Sequence, residues 1–152
     1  MTNALKRAWT ELVQPLLQRP KRMQVAALCY RIKGADKEVL MITSRDTGRW
    51  ILPKGWPIDG LDASGAALQE AWEEAGVREG KISNESIGSF EYQKELDTGG
   101  HAICETKVFA VEVEKLEDVF PEAKLRTRQW MSPYEAANLV NEPGLRDILN
   151  NL

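Results

Sequence analysis

The sequence predicts an α/β fold in which a mixed β-sheet is flanked by helices on both faces. Two observations predict it. Strand-like apolar runs and helical patterns interleave along the chain without strict alternation, a pattern that fits a mixed sheet between helices. The 152 residues, 43% hydrophobic and 28% charged, also suit a single domain, 1–152, able to bury one core without staples. Residues 1–19 read as an N-terminal helical extension of that domain.

The elements follow in order. "MTNALKRAWTELVQPLLQ" places Leu5, Trp9, Leu12 and Leu16 at helical spacing, which predicts an amphipathic helix. "MQVAALCYRIK" (23–33) reads as a buried strand, and "GAD" turns the chain into "EVLMITS" (38–44). "RWIL" (49–52) is a short extended piece before a loop, 53–62, rich in Pro and Gly. A central helix covers 63–75, with Asp62 as N-cap and Gly76 as its stop. Two long strands, 86–96 and 102–114, are joined by "DTGG". "LRTRQWM" (125–131) is a further strand, and "SPYE" opens a helix to about 140 as a capping box with Pro133 at N1. A last short helix starts near Pro143.

Composition removes several classes of function. A net charge of −3 argues against general nucleic-acid binding. Cys29 and Cys104 sit in strand-like runs without metal spacing and read as buried free thiols of a reducing compartment. The longest strong apolar run, "VAALCY", is far short of the roughly 18 residues of a membrane span. The N-terminus has no secretory apolar region, and a mitochondrial presequence is the weaker reading because Glu11 interrupts it and Ser and Arg are few. A cytoplasmic location is the expectation, and the sequence favours no oligomeric state.

One segment breaks local rules. "LQEAWEEAGV" (68–77) is helical, yet it gathers Glu70, Glu73 and Glu74 on one side. With Glu70 at zero and about 100° per residue, Glu73 falls near −60° and Glu74 near +40°. Ala67, Leu68, Ala71, Trp72 and Ala75 fill the complementary arc, predicted to be buried. Like charges at these spacings repel, and Glu73 and Glu74 face the negative end of the helix dipole. A solvated acidic face is the bland explanation. Against it stands the loop "LPKGWPIDG", which feeds the helix directly and allows close backbone approach. Carboxylates at i and i+4 can hold a hard cation such as Mg²⁺, while the third stays free as a base.

Residues 55–77, "GWPIDGLDASGAALQEAWEEAGV", resemble the Nudix box, G-x5-E-x7-R-E-U-x-E-E-x-G-U with U a bulky apolar residue. Gly55, Glu70, Glu73, Glu74, Gly76 and Val77 fall on its fixed positions. Leu61 stands in place of its first Glu and Gln69 in place of its Arg. "PKRMQVAALCYRI", "EVLMITSRDTGRWILPKG" and "RTRQW" are similar, in the same order, to the diphosphoinositol polyphosphate phosphohydrolase branch of the Nudix hydrolases.

The resemblance implies a Nudix-type α/β/α sandwich and Mg²⁺- or Mn²⁺-dependent hydrolysis of a diphosphate linkage. The implied substrate is a nucleoside-diphosphate-linked or polyphosphorylated small molecule, with a dinucleoside polyphosphate first and an inositol pyrophosphate second. It implies Glu70, Glu74 and the Gly55 carbonyl as metal ligands, with Glu70 and Glu73 as catalytic carboxylates. Glu73 is the first choice for base, though family members differ over which glutamate takes the proton. Arg22, Arg45, Arg49, Lys54 and Arg128, together with Arg126, lie on segments that converge in such folds and read as polyphosphate contacts. His101 reads as a solvated loop residue, with phosphate contact as the alternative. Trp50 reads as core, and Trp56 is open between core and base stacking. The departures at Leu61 and Gln69 keep a second reading open, a catalytically weak module that binds a phosphorylated metabolite.

Overall fold

The computed structural model describes residues 2–8 and 20–152. Helix α1 (Asn3–Ala8) begins where the amphipathic pattern begins, whereas Trp9, Leu12 and Leu16 lie outside the described residues.

An eight-stranded mixed sheet organises the rest. Its centre is β1 (Arg22–Lys33), whose apolar run is buried from Gln24 to Cys29, as expected of a strand covered on both faces. One edge of β1 pairs in parallel with β7 (His101–Leu116), Arg22 opposite Cys104 through Tyr30 opposite Glu112. Its other edge pairs antiparallel with β2 (Asp36–Thr43) and, nearer its start, with the two-residue β4 (Lys54–Gly55). β3 (Trp50–Ile51) and β8 (Arg128–Met131) add to β2, while β5 (Val77–Ile82) and β6 (Gly88–Glu95) add to β7.

Alternation along β1 divides the core. Val25, Ala27 and Cys29 face helix α2 (Ala63–Ala75), meeting Ala66, Ala67, Ala71 and Ala75. Ala26 and Leu28 face the opposite layer, α3 (Pro133–Leu139) and α4 (Pro143–Asn150), through Ala137, Val140, Leu145 and Leu149. The mixed sheet between helices is therefore the observed architecture. No described helix is long and apolar enough to cross a membrane.

Local signals placed the helices well. Asp62 accepts from Gly65 N at 2.8 Å, and Gly76 ends α2 in the left-handed region at φ 76°. Ser132 accepts from Glu135 N at 3.0 Å, with Pro133 opening α3. Two strands were not foreseen. β5 carries three charged residues and Gly80, and it pairs with β7 through irregular register, so it lacks the alternation that marks a strand. β4 is too short to leave a pattern.

The connection between β7 and β8 matters most for the site. Glu117 N donates to Gly76 O at 2.8 Å and Glu122 N to Glu73 O at 2.9 Å, which lays residues 117–122 across the C-terminal end of α2.

Candidate active site

The acidic helix and the glycine loop meet at Gly55. β4 holds Gly55 opposite Val25, and a β-carbon added there would lie 2.5 Å from the Glu70 carboxyl carbon. Any side chain there would push the Glu70 carboxylate aside. Glu70 is pushed up to about 7, chiefly by partial burial, then by the charges of Glu74, Glu73 and Glu122. A carboxylate in that state is short of positive charge.

Glu74 corrects the predicted helix face. It lies inside the buried side of α2, 5% exposed, rather than beside solvent. The compensation is specific: Lys54 N donates to Glu74 Oε1 at 3.2 Å, and Arg126 Nη2 lies 3.4 Å from Oε2. Burial raises the Glu74 pKa, and these two partners oppose the rise. Trp72, expected on the buried face, is half-buried with the Arg78 guanidinium 4.8 Å over its ring. Glu73 is half-buried and accepts from Gln69 Nε2 at 3.0 Å. The glutamine that replaces the arginine of the box pattern thus still orients this carboxylate.

Glu122 is a fourth acid that sequence reasoning missed. Its Oε1 lies 3.3 Å from Arg126 Nη2 and 3.8 Å from Arg45 Nη1. Its charge also acts on Glu70 and Glu74. The four-residue spacing to Arg126 was the one signal available, since the loop has no periodicity of its own.

Beside the acids opens a cavity of about 480 Å³ lined by Gln24, Arg45, Arg49, Ile51, Lys54, Glu74, Tyr92, Lys94 and Arg126, among others. Arg45, Arg49, Lys54, Lys94 and Arg126 outnumber its acids, Asp46, Glu74 and Glu95. The space therefore suits an anion. The Lys54 ammonium sits 4.9 Å over the Tyr92 ring, and burial lowers its pKa to about 8. Tyr92 donates to the buried Gln24 Oε1, and burial raises its own pKa. Arg49 Nη1 donates to Glu142 Oε1 at 2.8 Å.

Two expected phosphate contacts are elsewhere. Arg128 is a correction: it gives Nη1 to Ala75 O at 2.7 Å and Glu117 O at 2.6 Å, and Nη2 to Asp118 at 2.6 Å. Its donors are used to fasten the 117–122 loop to the carbonyl end of α2, where a cation is favoured. Arg22 lines a separate cavity with Lys21, Gln93 and His101, because the start of β1 lies beyond the acidic cluster. Gln93 borders both cavities. His101 is exposed, as expected of a loop-edge residue. Trp50 packs against the α3/α4 core, whereas Trp56 is 39% exposed with Lys94 Nζ 4.9 Å over its ring.

The donor set suits a hard divalent cation. The Glu70 carboxylate faces a glycine backbone, and burial together with its neighbours' charge pushes it up to about 7. Among the described residues, no three His, Cys, Asp or Glu side chains are arranged to hold an ion alone. Mg²⁺ does not need that, since it commonly takes one or two carboxylates and completes its shell with water and substrate phosphate.

Comparison with known proteins gives a consistent result. The NUDIX domain family profile matches residues 22–152. Nudix hydrolase 21, chloroplastic, of Arabidopsis thaliana is 35% identical over 133 residues, covering 84% of this chain and 64% of that protein. The chain thus spans just under two thirds of that relative's length. Diphosphoinositol polyphosphate phosphohydrolase 3-alpha of Mus musculus is 32% identical over 121 residues, 78% of this chain and 69% of that protein. Among solved structures, a C. elegans Ap4A hydrolase superposes with a TM-score of 0.61 at 16% identity, over 86% of this chain and 95% of that one. That likeness concerns the fold.

Proposed function

Because the chain belongs to the Nudix hydrolase family, we propose that it is a metal-dependent pyrophosphohydrolase acting on a polyphosphorylated small molecule. The observation that carries the proposal is the Glu70 carboxylate, packed on Gly55 and repelled by Glu74, Glu73 and Glu122, beside a cavity lined with cations. Glu70, Glu74 and the Gly55 carbonyl are the proposed ligands of Mg²⁺ or Mn²⁺. Such an ion, when bound, neutralises phosphate charge and lowers the pKa of a coordinated water.

The chain's own groups do the rest. Glu73, held by Gln69, is the proposed base that takes a proton from the attacking water. Glu122 adds acidity from the opposite loop, and Arg126 keeps it and Glu74 in place. Arg45, Arg49 and Lys54 face the cavity as the proposed phosphate contacts. Arg22 is kept for the far end of an extended substrate, past Gln93. The Gln69–Glu73 hydrogen bond supports the catalytic reading over a weak binding module.

A substrate with several phosphates fits the excess of cations. We favour a dinucleoside polyphosphate, because the exposed Trp56 beside Lys94 offers a face for a base. An inositol pyrophosphate comes second, supported by the relative named for diphosphoinositol polyphosphates. A cytoplasmic setting suits the two buried free cysteines. We take 1–152 as one domain with 1–19 as its extension. The test is a Mg²⁺-dependent phosphate-release panel over dinucleoside polyphosphates, inositol pyrophosphates, nucleotide sugars and nucleoside triphosphates. Efficient cleavage of nucleotide sugars alone would overturn the substrate class, and no cleavage of any would overturn the enzyme.

A further inference from the structure

Glu142 belongs to no motif, yet it is 7% exposed and pairs with Arg49, which lines the cation-rich cavity. It occupies the position before α4, where a side chain usually caps the helix, and it makes no cap hydrogen bond. Its carboxylate turns to Arg49, accepting from Nη1 at 2.8 Å, while Oε2 is buried without a hydrogen-bond partner. Of the charges around the Lys54 ammonium, Glu142 acts most strongly, ahead of Arg49, Glu74 and Lys94.

We infer that Glu142 is a positioning residue for the phosphate cradle, holding Arg49 on the cavity wall beside Lys54, where a phosphate chain meets both. The inference rests on the proposed function, since it assigns these two cations to substrate phosphate. Without the acceptor that Glu142 offers, the Arg49 guanidinium would swing away from Lys54, because like charges repel. Stability alone does not explain the choice, because a buried ion pair gains little over an apolar contact of the same volume. The mount is also rigid. Arg146 donates to Ala137 O and Val140 O, both at 3.1 Å, which locks the turn that carries Glu142.

The experiment is calorimetric titration of the full chain with inorganic tripolyphosphate in Mg²⁺, at two or more salt concentrations. Glu142→Ala, which frees Arg49, should bind roughly ten- to a hundredfold more weakly than wild type. Glu142→Gln keeps an acceptor for Arg49 while deleting the charge. It should stay within about threefold of wild type or bind more tightly, with a steeper salt dependence, because the cavity is one charge more positive. A buried pair with no such role would lower the melting temperature of both variants and leave affinity and salt slope as in wild type. That result overturns the inference, and if Glu142→Ala does not fold, an unchanged salt slope in Glu142→Gln overturns it alone. A wild-type chain that fails to bind tripolyphosphate removes the proposed function and this inference together. Binding that is indifferent to both variants removes only the inference.

Discussion

Arg126 and Glu74 meet at 3.4 Å, Nη2 to Oε2, with their side chains only 9% and 6% exposed. The same nitrogen lies 3.3 Å from Glu122, and Nη1 donates to Thr43 O at 3.0 Å. One guanidinium therefore joins the acidic helix, the 117–122 loop and the end of β2. Arg126→Ala should lose about 3–5 kcal/mol, because it leaves a buried carboxylate without its partner. Urea unfolding measures this, and a loss below about 1 kcal/mol would mean that water or relaxation replaces the guanidinium.

Gln69 supports Glu73 through one neutral hydrogen bond at 3.0 Å. Gln69→Arg adds a charge to that support and should raise kcat without changing the preferred substrate. Gln69→Ala should lower kcat by roughly tenfold or more, with KM little changed. A kcat for the arginine variant at or below wild type would show that this site is already built around glutamine.

Glu70 gives stability a pH signature in metal-free buffer. Its pKa is raised from 4.5 to about 7 in the folded chain, so between those values the native state holds more protons than the unfolded one. Stability that is fully present below the unfolded value is therefore lost as pH rises, and the loss is complete above about 7. Glu70→Gln lacks this loss. Melting curves of the two proteins should coincide near pH 4.5 and separate with the variant more stable by pH 7 and above. Curves that stay parallel across that window would show that neither burial nor its neighbours' charge raises the Glu70 carboxyl.

Much of the site's frame was legible in sequence, because local rules write it. Helix α2 runs over 63–75 as its cap and stop residues predict, and the close approach of Gly55 to Glu70 follows from a glycine in the feeding loop. What local rules do not write was missed. Glu74 looks solvent-facing on a helical wheel, and only Arg126, brought from β8's approach, makes its burial tolerable. Arg128 sits two residues from Arg126 yet points to the end of α2, because Ala75 O and Glu117 O there accept its donors. Glu122 and Glu142 reach the site through loop and turn packing with no periodic signal.

Trp56 separates the two favoured substrates. Its ring is 39% exposed and carries Lys94 4.9 Å above it, so it can stack on a base and gains little from an inositol ring. Trp56→Ala should raise KM for a dinucleoside polyphosphate by roughly three- to tenfold and spare an inositol pyrophosphate. Equal effects on both would assign Trp56 to loop packing.

If the acidic helix is built around a divalent cation, calorimetric titration with Mn²⁺ reads that site most directly. Wild type should bind, and Glu70→Gln and Glu74→Gln should each bind at least about tenfold more weakly while remaining folded, because each loses a charged oxygen ligand. Glu73→Gln should keep near wild-type affinity. Isotherms for Glu70→Gln and Glu74→Gln that overlay wild type would contradict the account.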